Sequence, residues 1–105
     1  AAMFQDILAA DPTVDAIFFC NDDLAQGALM AAMRVGVQVP QRVAIAGFND
    51  LTGSDQMLPT LTTVRTPRAD IGHTAARLRV SLIQGGCEAP QWVDLGFEVV
   101  LRESA

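Results

Sequence analysis

Residues 15 to 50 read DAIFFCNDDLAQGALMAAMRVGVQVPQRVAIAGFND, and this stretch decides the fold of the chain. Residues 15–20 and 43–48 are short apolar runs rich in β-branched and aromatic side chains, which is typical of buried strands. Between them lies an alanine-rich segment long enough for a helix. A helix that joins two strands of this kind gives a βαβ unit with parallel strands. We therefore predict an α/β fold with a parallel, Rossmann-like sheet.

Polar corners follow both predicted strands, at Asn21-Asp22-Asp23 and at Asn49-Asp50. The carboxyl ends of neighbouring parallel strands form the crevice in which open α/β sheets bind ligands. Asparagine side chains both donate and accept hydrogen bonds, so Asn21 and Asn49 suit the hydroxyl groups of a sugar-like molecule. Asparagine at a strand end is also a common turn residue, and aspartate commonly caps a helix. The pattern alone leaves both interpretations open.

The three aspartates of these corners also allow a magnesium site for phosphoryl transfer. Phospho-acceptor domains of this design use a lysine to meet the phosphoryl charge, and the chain has no lysine. The single histidine, His73, is expected on the solvent side of a helix, where it would have no catalytic role. We expect no enzyme activity, metal or cofactor.

The composition predicts a soluble globular domain. Half of the 105 residues are hydrophobic, 18% are charged, and the formal net charge is −5. No apolar run approaches the roughly 18 residues of a membrane span. The seven cations are scattered arginines, so the chain should not bind nucleic acid by itself. Cys20 and Cys87 lack metal-ligand spacing and are expected to be reduced thiols, consistent with the cytoplasm.

Hydrophobic periodicity and turn residues predict the remaining elements. The central helix should begin at the Asn21 corner, end at Gly36, and place Leu24, Ala28, Ala31, Ala32 and Val35 on the sheet. A strand buried on both faces is expected before it. The other predicted elements are helix 1–10, strands 14–20, 42–47 and 61–64, one helical turn within 55–58, helix 67–84 capped by Thr66, and strands 92–95 and 97–101.

Gln26, Met30 and Met33 lie on the far side of the central helix, where charged residues would be usual. Flexible methionine side chains at such a position favour contact with a protein partner. Two isolated surface methionines are the alternative interpretation.

The chain resembles the lac repressor/galactose repressor family of bacterial transcription regulators. The resemblance covers nearly all of the sequence. It rests on ordered motifs, namely residues 15–18 with 21–28, Val39-Pro40 with 43–50, 59–65 with Pro67 and Gly72, and 101–104.

The resemblance implies part of an effector-binding domain with the type I fold of periplasmic binding proteins, in which two α/β lobes close on a small molecule. Residues 1–65 would form most of the C-terminal lobe, and residues 66–90 would hold a crossover helix that packs on the other lobe. Residues 91–105 would be the returning strands. The fold is then truncated, and the DNA-binding headpiece lies outside the chain. The helix face of Ile71, Ala75, Leu78 and Leu82 would pack on another copy or fold back on the lobe.

The resemblance also implies the functional residues. Effector would contact Asn21 and the position of Asn49, where the family usually has an aspartate. Because an aspartate repels anions, Asn49 favours an acidic effector such as gluconate, with Arg68 as a possible counter-charge. The family's dimer contact would include Gln26, Met30, Met33 and Met57.

We therefore expect a cytoplasmic, sugar- or sugar-acid-responsive repressor that acts as a homodimer and contacts operator DNA only through its headpiece. A periplasmic-type sugar-binding protein of the same fold and a metal-dependent phosphotransfer domain stay open as alternatives.

Overall fold

The computed structural model describes residues 2–85 and 92–105. The helices are α1 (Ala2–Ala10), α2 (Asp22–Val35) and α3 (Arg68–Ile83), with one 3₁₀ turn at Ser54–Gln56. The strands are β1 (Ala16–Phe18), β2 (Ala44–Ala46), β3 (Thr63–Arg65) and β4 (Glu98–Val100). Within the described residues, no helix is both long enough and apolar enough to cross a bilayer.

The described chain divides into two compact units. The first contains the residues up to Arg65 together with Glu98–Ala105, and the second contains Thr66–Phe97. The assignment of residues 1–65, 66–90 and 91–105 to lobe, crossover and return stays a prediction.

The predicted βαβ unit is confirmed. β1 and β2 are parallel, with Ile17 opposite Ile45, and α2 connects them. A parallel bridge from Ala46 to Thr62 places the next segment beside β2. β3 and β4 form an antiparallel pair in which Arg65 lies opposite Glu98.

Ser104 joins the C-terminal residues to this framework. It is fully buried, its hydroxyl donates to the Ile45 carbonyl oxygen at 2.6 Å, and the same hydroxyl accepts from the Thr62 amide at 2.8 Å. Its backbone amide donates to the Thr60 carbonyl oxygen at 2.9 Å. The last residues of the chain therefore belong to the first unit.

The core of the first unit lies between α1, α2 and the strands. Its largest fully buried side chains are Phe4, Leu29, Ile45 and Leu61. The predicted sheet-facing stripe of α2 is correct at its centre and wrong at its ends, because Leu24 and Val35 are 39% and 49% exposed. The stripe that is buried comprises Asp22, Ala25, Ala28, Leu29, Ala31 and Ala32. The helix is turned toward Asp22 because that carboxylate is bonded into the interior.

The prediction that the first strand is buried on both faces is wrong. Ile17 is half-buried against the core, whereas Ala16 and Phe18 on the opposite face are exposed, Phe18 by 63%. Among the described residues, helices cover only one face of this strand.

The expectation that the face of Ile71, Ala75, Leu78 and Leu82 folds back on the lobe stays a prediction. Two other expectations for the second unit are wrong. The N-cap position of α3 is Pro67, without a side-chain cap, where Thr66 was expected. Residues 92–95 form no strand because no described segment pairs with them. Packing of α3 on another copy stays a prediction, and Cys87 lies outside the described residues.

Gly47 provides the test of this packing. A Cβ atom at Gly47 would lie 2.3 Å from Oδ1 of Asp22 and 3.3 Å from its Cα. Gly47→Ala should therefore destabilise the first unit by about 1–3 kcal/mol, the usual cost of overpacking. Urea unfolding followed by circular dichroism measures this change.

Gly27→Ala is the matched control, since nothing lies within 4 Å of a Cβ there. In the middle of α2 this variant should gain up to about 1 kcal/mol of helix propensity. Equal effects of the two variants would contradict the predicted collision at Gly47.

Candidate binding site

Asn21 forms the N-cap of α2. Its backbone is extended, and its side-chain Oδ1 accepts a hydrogen bond from the Leu24 amide at 2.9 Å. Asparagine is among the best residues at this position because its oxygen satisfies a helix amide that has no partner within the helix. The side-chain nitrogen of Asn21 donates to no described residue.

Asn49 lies on the neighbouring corner, in a conformation that few residues adopt. Its φ is +100° and that of Asp50 is +51°. The backbone is held there by the Asn49 amide, which donates to the Val64 carbonyl oxygen at 2.8 Å. The Asp50 amide donates to the Thr63 hydroxyl at 3.2 Å. Asparagine and aspartate tolerate positive φ better than most residues, which suits both to this corner.

A backbone hydrogen bond joins the two corners directly. The Asp22 amide donates to the Phe48 carbonyl oxygen at 3.0 Å. Asn21 comes directly before Asp22, and Asn49 comes directly after Phe48. The structure therefore brings the two predicted effector-binding residues Asn21 and Asn49 to one edge of the sheet. Arg68, the third, is the exposed first residue of α3 and belongs to the second unit. Their roles in effector binding stay predictions.

Asp22 has a role that the sequence pattern did not indicate. The residue is fully buried, although capping or metal binding was expected of it. Its Oδ2 accepts from the Leu51 amide at 2.8 Å and the Ser54 hydroxyl at 2.5 Å, and its Oδ1 accepts from the Thr63 hydroxyl at 2.7 Å. The cap is Asn21, and Asp22 instead anchors the loop after Asn49 to the start of α2.

The second carboxylate of the corner, Asp50, pairs with two arginines. Its Oδ2 lies 2.8 Å from Nε of Arg65 and its Oδ1 lies 2.9 Å from a guanidinium nitrogen of Arg102. The same Arg102 nitrogen donates to the Leu61 carbonyl oxygen at 2.9 Å. Burial raises the pKa of Asp50, but the hydrogen bonds and charges of Arg65 and Arg102 outweigh it and leave that pKa below its ordinary value.

Both carboxylates are therefore used to hold the corner together. The described residues contain no group of three histidine, cysteine, aspartate or glutamate side chains suited to a metal ion. His73 lies exposed on α3, as predicted, and Cys20 is an exposed free thiol.

The four residues predicted at a dimer contact differ in their surroundings. Met30 and Met33 are 51% and 60% exposed. Met57 packs against the core, and the Gln26 side-chain nitrogen donates to the Ser54 hydroxyl at 3.1 Å. Beside Met33 lies an apolar groove of about 370 Å³, lined by Leu29, Ala32, Met33, Val37, Val39, Leu58, Pro59 and Glu103. Leu58, at its edge, is 72% exposed.

Comparison with known proteins identifies the family. The model of the periplasmic binding protein-like domain matches residues 1–105. The chain belongs to this family. The chain is 52% identical over 102 residues to the HTH-type transcriptional regulator GntR of Pseudomonas aeruginosa. The matched region is 97% of this chain and 30% of that regulator.

Solved structures agree with this assignment. The transcription regulator GntR from Chromobacterium violaceum superposes with a TM-score of 0.90 at 50% identity, over 98% of this chain and 38% of that one. The CelR regulator in complex with cellobiose superposes with a TM-score of 0.92 at 33% identity. The superposition covers 99% of this chain and 32% of the CelR chain. LacI-family regulators are among the other neighbours. The predicted repressor family and fold are confirmed, and the periplasmic binding protein-like chain corresponds to part of the effector-binding domain of such regulators.

Sequence reasoning did not find Ser54, Thr63, Arg65 or Arg102, which hold the corner. Thr63 alone carried a usable signal, since a threonine within an apolar strand needs a hydrogen-bond partner when buried.

The pairing of Asp50 predicts a pH dependence. Because its pKa is lowered on folding, the pairing stabilises the protein above the unfolded pKa, about 3.9, and this contribution is lost as the pH falls through the folded pKa. Asp50→Asn should therefore be less stable than wild type at pH 7, and the difference should shrink below pH 4. Urea midpoints at several pH values measure it.

Asp55→Asn is the control, because Asp55 is exposed on the 3₁₀ turn. Its stability should follow that of wild type at every pH. A constant difference between wild type and Asp50→Asn down to pH 3 would rule out a titrating ion pair.

Proposed function

We propose that this chain is the effector-binding and dimerisation part of a cytoplasmic bacterial repressor that senses a sugar or a sugar acid such as gluconate. The observation that carries the proposal is the joined pair of corners at Asn21 and Asn49 in a chain of this family. Membership supports a small-molecule effector, since the related CelR regulator was solved with cellobiose. Closure of two lobes on the effector would change how paired headpieces sit on operator DNA.

The type of effector follows from Asn49. A carboxylate at this position would accept strong bonds from hydroxyl groups but would repel an anion. The neutral amide accepts weaker bonds, and it can also donate to a carboxylate. Arg68 is the proposed counter-charge. An acidic effector is therefore favoured over the neutral sugar of the same carbon skeleton.

Isothermal titration calorimetry of the full-length protein with gluconate and with glucose tests this assignment. Wild type should bind gluconate more tightly than glucose. Asn49→Asp should weaken gluconate binding by roughly 10- to 100-fold. Two negative charges about 4 Å apart repel by about 1 kcal/mol in bulk water and about 4 kcal/mol near a protein surface, and each 1.4 kcal/mol is tenfold in affinity.

Gln56→Glu is the control for this test. It makes the same amide-to-acid change on the exposed 3₁₀ turn, and it should leave gluconate binding as it is in wild type. Tight binding of glucose with none of gluconate by wild type would exclude the acidic effector.

The proposed dimer contact uses the outer face of α2 and the loop before Pro59. Met30, Met33 and Leu58 are exposed there around an apolar groove, and such a surface is characteristic of protein contacts. The alternative contact is α3, whose apolar side chains are exposed in the single chain.

Light scattering of the 105-residue chain over a range of concentrations distinguishes the two contacts. Met30→Glu should convert a dimer to monomer, because it would place a charge in an apolar interface. Leu82→Glu is the matched variant on α3, because the Leu82 side chain is 53% exposed and that of Met30 is 51% exposed. It should leave the dimer intact. Dissociation by Leu82→Glu alone would assign the contact to α3.

A further inference from the structure

Asp50 joins the candidate binding corner to the two strands through which the chain leaves and re-enters the first unit. The unit ends at Arg65 and resumes at Glu98. These two residues are direct partners in the β3–β4 pair. Arg65 binds the Asp50 carboxylate at 2.8 Å and reaches Glu98 at 3.5 Å. One ion-pair chain therefore runs from the residue after Asn49 to both connecting strands.

A second chain of contacts fixes the same residue from the other side. The Thr63 hydroxyl of β3 accepts from the Asp50 amide and donates to Asp22, which follows Asn21. The remaining Asp50 oxygen binds Arg102, just beyond β4. Side chains of Asp50 and Arg102 are only 16% and 14% exposed, so water screens their pairing little.

The backbone geometry makes this arrangement sensitive. Asn49 and Asp50 are consecutive residues with positive φ, and bonds from both of their amides to Val64 and Thr63 hold them there. A shift of β3 or β4 moves the partners of Asp50, and through them the position of Asn49. The reverse also holds, because coupling between two sites is reciprocal.

We propose that Asp50 is a positioning residue that couples occupation of the Asn21–Asn49 corner to β3 and β4, and through them to the operator response. This inference rests on the proposed function. Variants that break the ion pairs of Asp50 should still bind effector, but effector should no longer change their operator affinity. General destabilisation of the protein would not separate these two properties.

The experiment uses the full-length protein and the ratio of its operator affinities without and with saturating gluconate. Allosteric ratios are typically about 5- to 150-fold. Arg65→Gln should bring the ratio close to one while gluconate affinity, measured by calorimetry, stays within about threefold. The corner itself keeps the bonds of the Asn49 and Asp50 amides to Val64 and Thr63 in this variant. This variant should fold, because Arg65 is 48% exposed. Asp50→Asn should have the same effect, and the double variant should add nothing further.

Asp55→Asn is the control for charge removal near the corner, and it should keep the wild-type ratio. An unchanged ratio in Arg65→Gln and Asp50→Asn would overturn the proposal, as would a loss of gluconate binding that matches the loss of coupling.

Failure of the proposed function is a separate result, in which wild type itself does not bind gluconate. The coupling proposal is then decided by amide hydrogen exchange of the full-length protein. Exchange in β3 and β4 should be faster in Arg65→Gln than in Asp55→Asn, and equal exchange would overturn the proposal.

Discussion

The buried carboxylate of Asp22 is the constraint on which the rest of the first unit depends. Removing a charge from water costs several kcal/mol unless donors replace the lost hydration. Here the Leu51 amide and the Ser54 and Thr63 hydroxyls supply those donors, and the start of α2 adds its favourable dipole. None of these three donors is a cation. Each comes from a segment distant in sequence, so the helix, the loop and β3 must be in place together.

The contacts that hold Asp22 also build the candidate site. Asn21 precedes it, and the loop that begins at Asn49 is tied down by its Oδ2. Gly47 has room for no side chain because the carboxylate lies against it. Stability and site geometry are therefore inseparable at this edge of the sheet, whereas Met30 and Met33, on the outer face of α2, can be changed without touching it. The proposed binding residues and the proposed dimer-contact residues therefore fall on different faces of one helix.

Local signals in the sequence predicted the βαβ unit, the start of α2 at the Asn21 corner and its Gly36 exit, because each depends on neighbouring residues. They did not predict the contacts of Asp22 or the pairing of Asp50 with Arg102, whose partners are tens of residues apart. Hydrophobic periodicity treats a charged residue such as Asp22 as exposed. The predicted buried stripe of α2 therefore included Leu24, which is exposed, and left out Asp22, which is buried. The apolar run at 92–95 suggested a strand, but a strand needs a partner, and no described segment pairs with these residues.

Local charge, and not the net charge of −5, governs what the corner can bind. The charge of Asp50 is balanced by Arg65 and Arg102, and that of Asp22 is held in the interior by hydrogen bonds. Asp23 is exposed, so solvent and salt screen it. An acid entering beside Asn21 and Asn49 would therefore meet amides next to carboxylates that are already engaged. We propose that an aspartate in place of Asn49 would add a negative charge at this corner, which would favour a sugar over its acid.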